Sequence, residues 1–370
     1  MKTQSYHNFW QRIHKSAKNR GFPLRVMFEL TYQCNFYCKH CYVPLSYRRK
    51  AGELKTKEVF SILGQLADIG CFYLGFTGGE PFLRKDIMEI FRYAKKKGFE
   101  VIIYTNGSLI NEEIADELAT LRPNKVDITI PAMSKKALEK ITRAPNSHKR
   151  IFKAIDLLYK RRVELGFKTC VLKENESEIK EIQDFAVSLG ALHRLDDTLS
   201  PRLNGSKEPY KYRGRMANNR GQSRLSVIDC RLSEEIENRT PKTENLFKCG
   251  VGKTQAAITP FGELKMCLMI DYPKYKILTE DKAESGLSVI GYRLSEKNEH
   301  RTPSLKSAWE KLKDLVKNIK PDENYQCDRC EFEPYCKWCP AKAWLHSRTF
   351  TSCVPESRGR AEERRQLLNC

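Results

Sequence analysis

The sequence predicts an α/β fold: a partial (β/α)6 barrel of the TIM type followed by a smaller cysteine-rich domain. Two observations carry this expectation. Between residues 24 and 195, short apolar, β-branched runs alternate with amphipathic stretches, the pattern of a parallel sheet wrapped by helices. From Cys249 onward the long amphipathic stretches become scarce and cysteines become frequent. With 370 residues, 40% of them hydrophobic, the chain is large enough for a full-size catalytic domain and a second, smaller one.

Strands are expected at Leu24–Leu30, Phe72–Phe76, Glu100–Tyr104, Lys125–Ile130, Phe167–Val171 and Ala191–Leu195. Helices are expected at Thr56–Ile69, Asp86–Lys97, Asn111–Leu121, Ser134–Thr142, Ser147–Glu164 and Ser177–Leu189, several opened by Thr, Asn or Ser as N-caps. In a barrel of such units the chemistry collects at the carboxyl ends of the strands. The expected boundaries are an N-terminal extension over 1–23, the barrel over 24–210, a linker over 211–248, the cysteine-rich domain over 249–355 and a tail over 356–370.

The formal charge of +20 suits nucleic acid, an anionic surface or an acidic peptide alike. Lys95-Lys96-Lys97 and Lys160-Arg161-Arg162 fall at helix ends, where cations suit the macrodipole, so much of the charge reads as solvated helix face. No RNA-binding motif accompanies it, and a nucleic-acid partner is not expected. No run approaches the ~20 apolar residues of a spanning helix, so no membrane partner is expected either. The segment from Met1 to Trp10 has no apolar signal region, which points to a cytoplasmic, reducing location. The fourteen cysteines then read as metal ligands and not as disulfides.

The first expected strand leads into a C-x3-C-x2-C triplet, Cys34, Cys38 and Cys41. Three thiolates on one tight loop can hold three irons of a [4Fe-4S] cluster and leave the fourth open to a ligand. Zinc fits less well, because it takes four ligands and His40, inside the triplet, is poorly placed to reach the same ion. The next strand ends in Thr77-Gly78-Gly79-Glu80-Pro81-Phe82. Paired glycines are commonly only a turn, but they also let backbone approach a ligand, and Glu80 can accept hydrogen bonds from an ammonium. Thr105-Asn106-Gly107 and Asp127-Ile128-Thr129-Ile130-Pro131 place further polar turns on the same rim.

On these motifs the region from about 24 to 205 resembles the radical S-adenosylmethionine (SAM) enzymes. The resemblance implies that Cys34, Cys38 and Cys41 bind a [4Fe-4S] cluster whose open iron takes SAM. It also implies that one electron cleaves SAM to a 5'-deoxyadenosyl radical, which abstracts hydrogen from a substrate. It places His40 near adenine, Gly78, Gly79, Glu80 and Pro81 at the methionine ammonium, Asn106 beside SAM, and Thr129 where the family often has Ser for the ribose. Arg143 and Arg202 are weaker candidates for the SAM carboxylate or substrate, and read more readily as structural surface arginines.

The second cysteine set runs Cys249, Gly262-x4-Cys267, Cys327-x2-Cys330-x5-Cys336-x2-Cys339 and Cys353. Taken alone, the C-x2-C pairs suit a zinc ribbon or iron. Ile258 to Lys265 reads as a β-hairpin leading into Cys267. The arrangement resembles the SPASM extension behind radical SAM domains, giving a C-terminal cysteine-rich iron-sulfur domain with up to two auxiliary [4Fe-4S] clusters. That resemblance assigns Cys249, Cys267 and Cys339 to the nearer cluster and Cys327, Cys330, Cys336 and Cys353 to the farther one. The chain departs from the usual x3 before the last cysteine, since only Lys337 and Trp338 precede Cys339, and the nearer cluster has three cysteines. Cys71 and Cys170 read as buried small hydrophobes, and Cys370 is assigned nothing.

Leu225–Pro241 recurs as Leu287–Pro303 with twelve of seventeen positions identical. Two copies do not build a solenoid, so the pair reads as inserted loop segments, and Cys230, which is Tyr292 in the second copy, is not expected to be a ligand.

The function implied is a radical SAM oxidoreductase acting on a peptide or protein, with auxiliary clusters supporting oxidation and a flavodoxin or ferredoxin as electron donor. A cofactor or tetrapyrrole maturase shares the same cysteine plan, and a non-catalytic iron-sulfur or zinc regulatory protein is the rival of another class. A sulfatase-maturing role is disfavoured because Leu268 stands where that branch has Asp after the Gly-x4-Cys cysteine. The 23 residues before the barrel hold no peptide-recognition domain, so a leader peptide needs another binding route.

Overall fold

The computed structural model describes residues 2–215, 246–247, 249–277, 304–323 and 325–368. Six strands run in parallel: β1 (Arg25–Glu29), β2 (Tyr73–Thr77), β3 (Glu100–Thr105), β4 (Lys125–Thr129), β5 (Leu165–Cys170) and β6 (Leu192–Asp196). Each lies within two residues of its expected position, because alternation fixes which residues face the helices. In β1, Val26 and Phe28 are fully buried against the helical layer, while Met27 and Glu29 share the opposite, inner face.

The crossover helices are α2 (Thr56–Asp68), α3 (Ile87–Lys96), α4 (Glu112–Leu121), α5 (Lys135–Thr142), α6 (Ser147–Lys160) and α7 (Ile179–Ser188). They cover the outer face with i, i+3, i+4 stripes such as Ile87, Ile90, Phe91 and Ala94. Helix α6 stops four residues before its expected end. Arg162 turns left-handed at φ 55 while Val163 N–H bonds back to Leu158 O at 3.1 Å, so the chain leaves the helix in time to start β5 at Leu165.

The sheet does not end at β1. Strand β7 (Gln255–Ile258) pairs with it in parallel, and β8 (Glu263–Lys265) and β9 (Lys274–Lys276) follow antiparallel, giving the order β6-β5-β4-β3-β2-β1-β7-β8-β9. The expected hairpin into Cys267 is therefore present, and it extends the barrel sheet. With β6 at one edge and β9 at the other, the barrel is open.

Three helices lie where no element was expected, one at the N-terminus and two near the C-terminus. Helix α1 (Lys2–Arg20) docks through Ile13 and Ala17 onto Phe22, Leu24, Phe72 and Tyr73. Trp309, on α8 (Leu305–Asn318), donates its indole N–H to Gly21 O at 2.6 Å and fastens the end of α1. Near the C-terminus, α9 (Pro340–Ser347) is followed by α10 (Pro355–Leu368), which occupies the segment read as a tail. Its stripe toward the protein is polar: Arg360 is fully buried and donates to Gly214 O at 2.5 Å, and Arg364 pairs with Asp197 at 2.6 Å. The repeat copies 225–241 and 287–303, with Cys230, lie outside the described residues, as does Cys370. Among the described residues no helix is long and apolar enough to cross a membrane.

Candidate functional site: the cysteine loops at the strand ends

The triplet loop leaves the carboxyl end of β1 and is held by its neighbours before any metal is considered. Glu53 accepts from Thr31 Oγ1 at 2.8 Å and from Tyr32 N–H at 2.7 Å. The Arg48 guanidinium donates to the carbonyls of Phe36 and Cys34 and stands 3.7 Å from Cys41 Sγ. Burial pushes the Cys34 thiol up to about 11 and the Cys38 thiol well above its usual range, and the neighbouring cysteines add to the shift. Three thiolates crowded in a low-dielectric loop need cationic charge, which bound iron supplies. Among the described residues no three His, Cys, Asp or Glu side chains surround a single ion-sized point. Three thiolates supplied by one loop are a donor set that fits an iron-sulfur cluster.

The glycine turn serves the loop in a way that spacing did not indicate. A Cβ on Gly78 would meet Thr31 O at 2.2 Å, and one on Gly79 would meet Gln33 O at 2.1 Å. Gly79 N–H donates to Thr31 O at 2.7 Å and Glu80 N–H to Gln33 O at 2.8 Å. The missing side chains thus let the turn lie directly on the backbone that enters Cys34. Pro81 then opens a short 3-10 turn, Pro81–Leu83.

Glu80 is fully buried, and its carboxylate accepts from Thr105 Oγ1 at 2.7 Å, Asn106 N–H at 2.7 Å and Phe82 N–H at 3.2 Å. It joins the ends of β2 and β3. Asn106 carries the link onward, donating to Asn35 Oδ1 at 2.9 Å with its amide nitrogen 3.9 Å from Cys34 Sγ. Desolvation raises Glu80 from its ordinary 4.5 to about 7 despite the three donors. A carboxyl that binds its proton more tightly when folded stabilises the fold fully below about pH 4.5. That contribution is lost as pH rises through about 7, with a slope of at most about 1.4 kcal/mol per pH unit. Urea unfolding of the iron-free chain between about pH 5 and 8 checks this: Glu80→Gln is expected to remove that fall relative to the parent.

Thr129 ends β4 on the inner face, opposite the helix-packed Val126 and Ile128, and pairs in register with Lys168. His40 has no hydrogen-bond partner for Nδ1 among the described residues, and burial, aided by Lys168, lowers it to about 4, so the ring is neutral. Arg143 caps α5 at the surface, its Nη2 3.4 Å from Tyr212 OH. Arg202 is largely buried and paired with Glu208 at 2.8 Å. Cys71 is a core residue, 7% exposed, whereas Cys170 shares the inner face of β5 with Lys168.

The tail cysteines fall into two groups. Cys249, Cys267 and Cys339 interact electrostatically with one another, as do Cys330, Cys336 and Cys353. Cys327 lies on the turn Cys327–Arg329 that leads into Cys330. Trp338 N–H donates to Ser352 O at 2.9 Å and fixes the segment before Cys353. Burial raises the Cys267 thiol to about 12, with the Cys339 charge next in importance. Arg48, Glu53 and the inner-face pair Glu29 and Lys265 were not singled out from the sequence. Arg48 is one cation in the run Arg48-Arg49-Lys50, and no local pattern distinguishes it.

Residues 28–186 match the Radical SAM superfamily. The chain is 32% identical over 170 residues to an AdoMet-dependent heme synthase of Methanosarcina barkeri, covering 46% of this chain and 49% of that protein. It thus spans about half that relative's length. It is 26% identical over 331 residues to the antilisterial bacteriocin subtilosin biosynthesis protein AlbA of Bacillus subtilis, covering 86% of this chain and 68% of AlbA. The fold is similar to that of Streptococcus suis SuiB bound to S-adenosylmethionine, with TM-score 0.64 at 15% identity, covering 94% of this chain and 81% of SuiB. The triplet and the glycine turn pressed onto it both lie within the matched region, and residues 28–186 of this chain are a radical SAM domain.

Proposed function

We propose that this chain is a radical SAM enzyme that modifies a peptide or protein, with its tail carrying auxiliary iron-sulfur clusters of the SPASM type. When bound, the cluster and SAM together supply a 5'-deoxyadenosyl radical able to abstract a substrate hydrogen. Cys34, Cys38 and Cys41 would hold the SAM-binding cluster. Gly78 to Pro81, with Asn106, would hold the methionine end, Thr129 the ribose, and His40 the adenine side. Cys249, Cys267 and Cys339 would hold one auxiliary cluster, and Cys327, Cys330, Cys336 and Cys353 the other. A flavodoxin or ferredoxin would deliver the electron.

The observation that carries the peptide reading is the reach of the AlbA match. It runs through the barrel and into the cysteine-rich tail, whereas the heme synthase match covers less than half of the chain. The tetrapyrrole reading retains one argument, the higher identity of that shorter match.

Anaerobic reduction with SAM is expected to release 5'-deoxyadenosine, and Cys34→Ala to abolish it. Metal analysis is expected to give about twelve irons and about twelve sulfides per chain for three clusters. About four irons would remove the auxiliary clusters from this reading, and absence of 5'-deoxyadenosine would remove the radical chemistry. Isolation with a bound porphyrin would favour the second reading.

A further inference from the structure

Glu29 is 0% exposed, and so is Lys265, whose ammonium lies 2.8 Å from Glu29 Oε2. The same carboxylate accepts from Tyr32 OH at 3.1 Å and from Tyr42 OH at 3.0 Å. Tyr32 stands two residues before Cys34, and Tyr42 directly follows Cys41. The Lys265 ammonium also reaches Leu268 O, next to Cys267, at 3.4 Å. One buried carboxylate thus receives a phenol from each end of the triplet loop and a lysine from the hairpin of Cys267. Tyr47 OH reinforces the contact by donating to Asp271 Oδ2 at 2.5 Å, and Tyr32 packs on Tyr47 and Phe261 with ring centroids 5.8 Å apart in each case.

A single side-chain salt bridge could be replaced by apolar packing at no loss of stability. What apolar packing cannot reproduce is a junction whose every bond is directional and which touches both metal-binding segments. We propose that Glu29 and Lys265 are positioning residues that couple the triplet loop to the Cys267 hairpin, so that loosening one cysteine segment loosens the other. The inference rests on the cluster-binding reading of the two segments. Its consequence is that the two sites keep a fixed relation to each other, which is what electron exchange between clusters at two such sites requires.

Hydrogen exchange of the reconstituted full chain tests it. Tyr42→Phe removes one hydroxyl on the triplet side. It is expected to raise exchange of the 263–268 amides at least threefold while β4 and β5 are unchanged. In the Glu29→Gln/Lys265→Met background, which keeps the volume and removes the charges, Tyr42→Phe is expected to leave those amides unaffected. A response confined to 31–44, or one that persists in the neutral background, overturns the proposal. Iron and sulfide assays on the same preparations report separately on the cluster reading. A chain that exchanges as expected but binds iron at neither segment overturns that reading, and with it the metal-site role given to the pair.

Discussion

Gly79→Ala is expected to destabilise the iron-free chain by at least about 4 kcal/mol and to cost the reconstituted protein the irons of the triplet site. The argument is steric. Gly79 does not need a left-handed backbone, so an alanine there meets no torsional penalty; its methyl group would instead sit 2.1 Å from Gln33 O, 2.6 Å from Gln33 C and 2.7 Å from Tyr32 O. All three are backbone atoms and cannot swing aside. Relief requires the turn to part from residues 31–33, which breaks Gly79 N–H to Thr31 O and Glu80 N–H to Gln33 O together. It also pulls the Glu80 carboxylate from Thr105 and Asn106, leaving a buried polar group without its partners. Gly64 supplies the control: it lies in α2 with nothing within 4 Å of an added Cβ, and Gly64→Ala is expected to stabilise by about 0.5–1 kcal/mol. Urea midpoints of the three iron-free chains and iron counts after reconstitution decide the matter. A Gly79→Ala chain with parental midpoint and iron content would show that the turn is not seated on the triplet backbone.

The strands and crossover helices were legible because each buries one face, and burial leaves its period in the sequence. The Cys34-x3-Cys38-x2-Cys41 loop was legible because its ligands are local. The glycine turn was legible as a motif but not in its physical reason: Gly78 and Gly79 make room for the chain at 31–33, more than forty residues away in sequence. Among its described side chains, helix α1 docks through Ile13 and Ala17, which are too few to show as a stripe beside His14, Lys15, Lys18 and Arg20. Helix α10 buries an arginine where pattern reading looks for leucine. Arg48 and Lys265 were invisible for a related reason. A lysine becomes remarkable only when the fold carries it next to Glu29, and nothing near position 265 announces a partner at 29.

That partnership makes Lys265→Met the second large effect, expected to cost about 3–5 kcal/mol in the iron-free chain. Methionine fills the volume of the lysine stem, so the loss is not a cavity. It is the Glu29 carboxylate, 0% exposed, left with two phenol donors and no cation. Water cannot reach it without opening the junction of β1 with the hairpin, and Leu268 O loses its donor at the same time. The double variant Glu29→Gln/Lys265→Met removes the charge along with the cation, while a glutamine amide oxygen still accepts from Tyr32 or Tyr42. It is expected to recover most of the loss, because the cost of a broken buried pair lies in the orphaned charge and not in the missing attraction. The measurement is the urea midpoint at constant slope for parent, single and double variants. If the double variant is as unstable as Lys265→Met alone, the lysine acts through its stem and the bond to Leu268 O, and the ion pair with Glu29 contributes little. If both variants match the parent, the site is open to water and the pair is not the buried junction that its geometry describes.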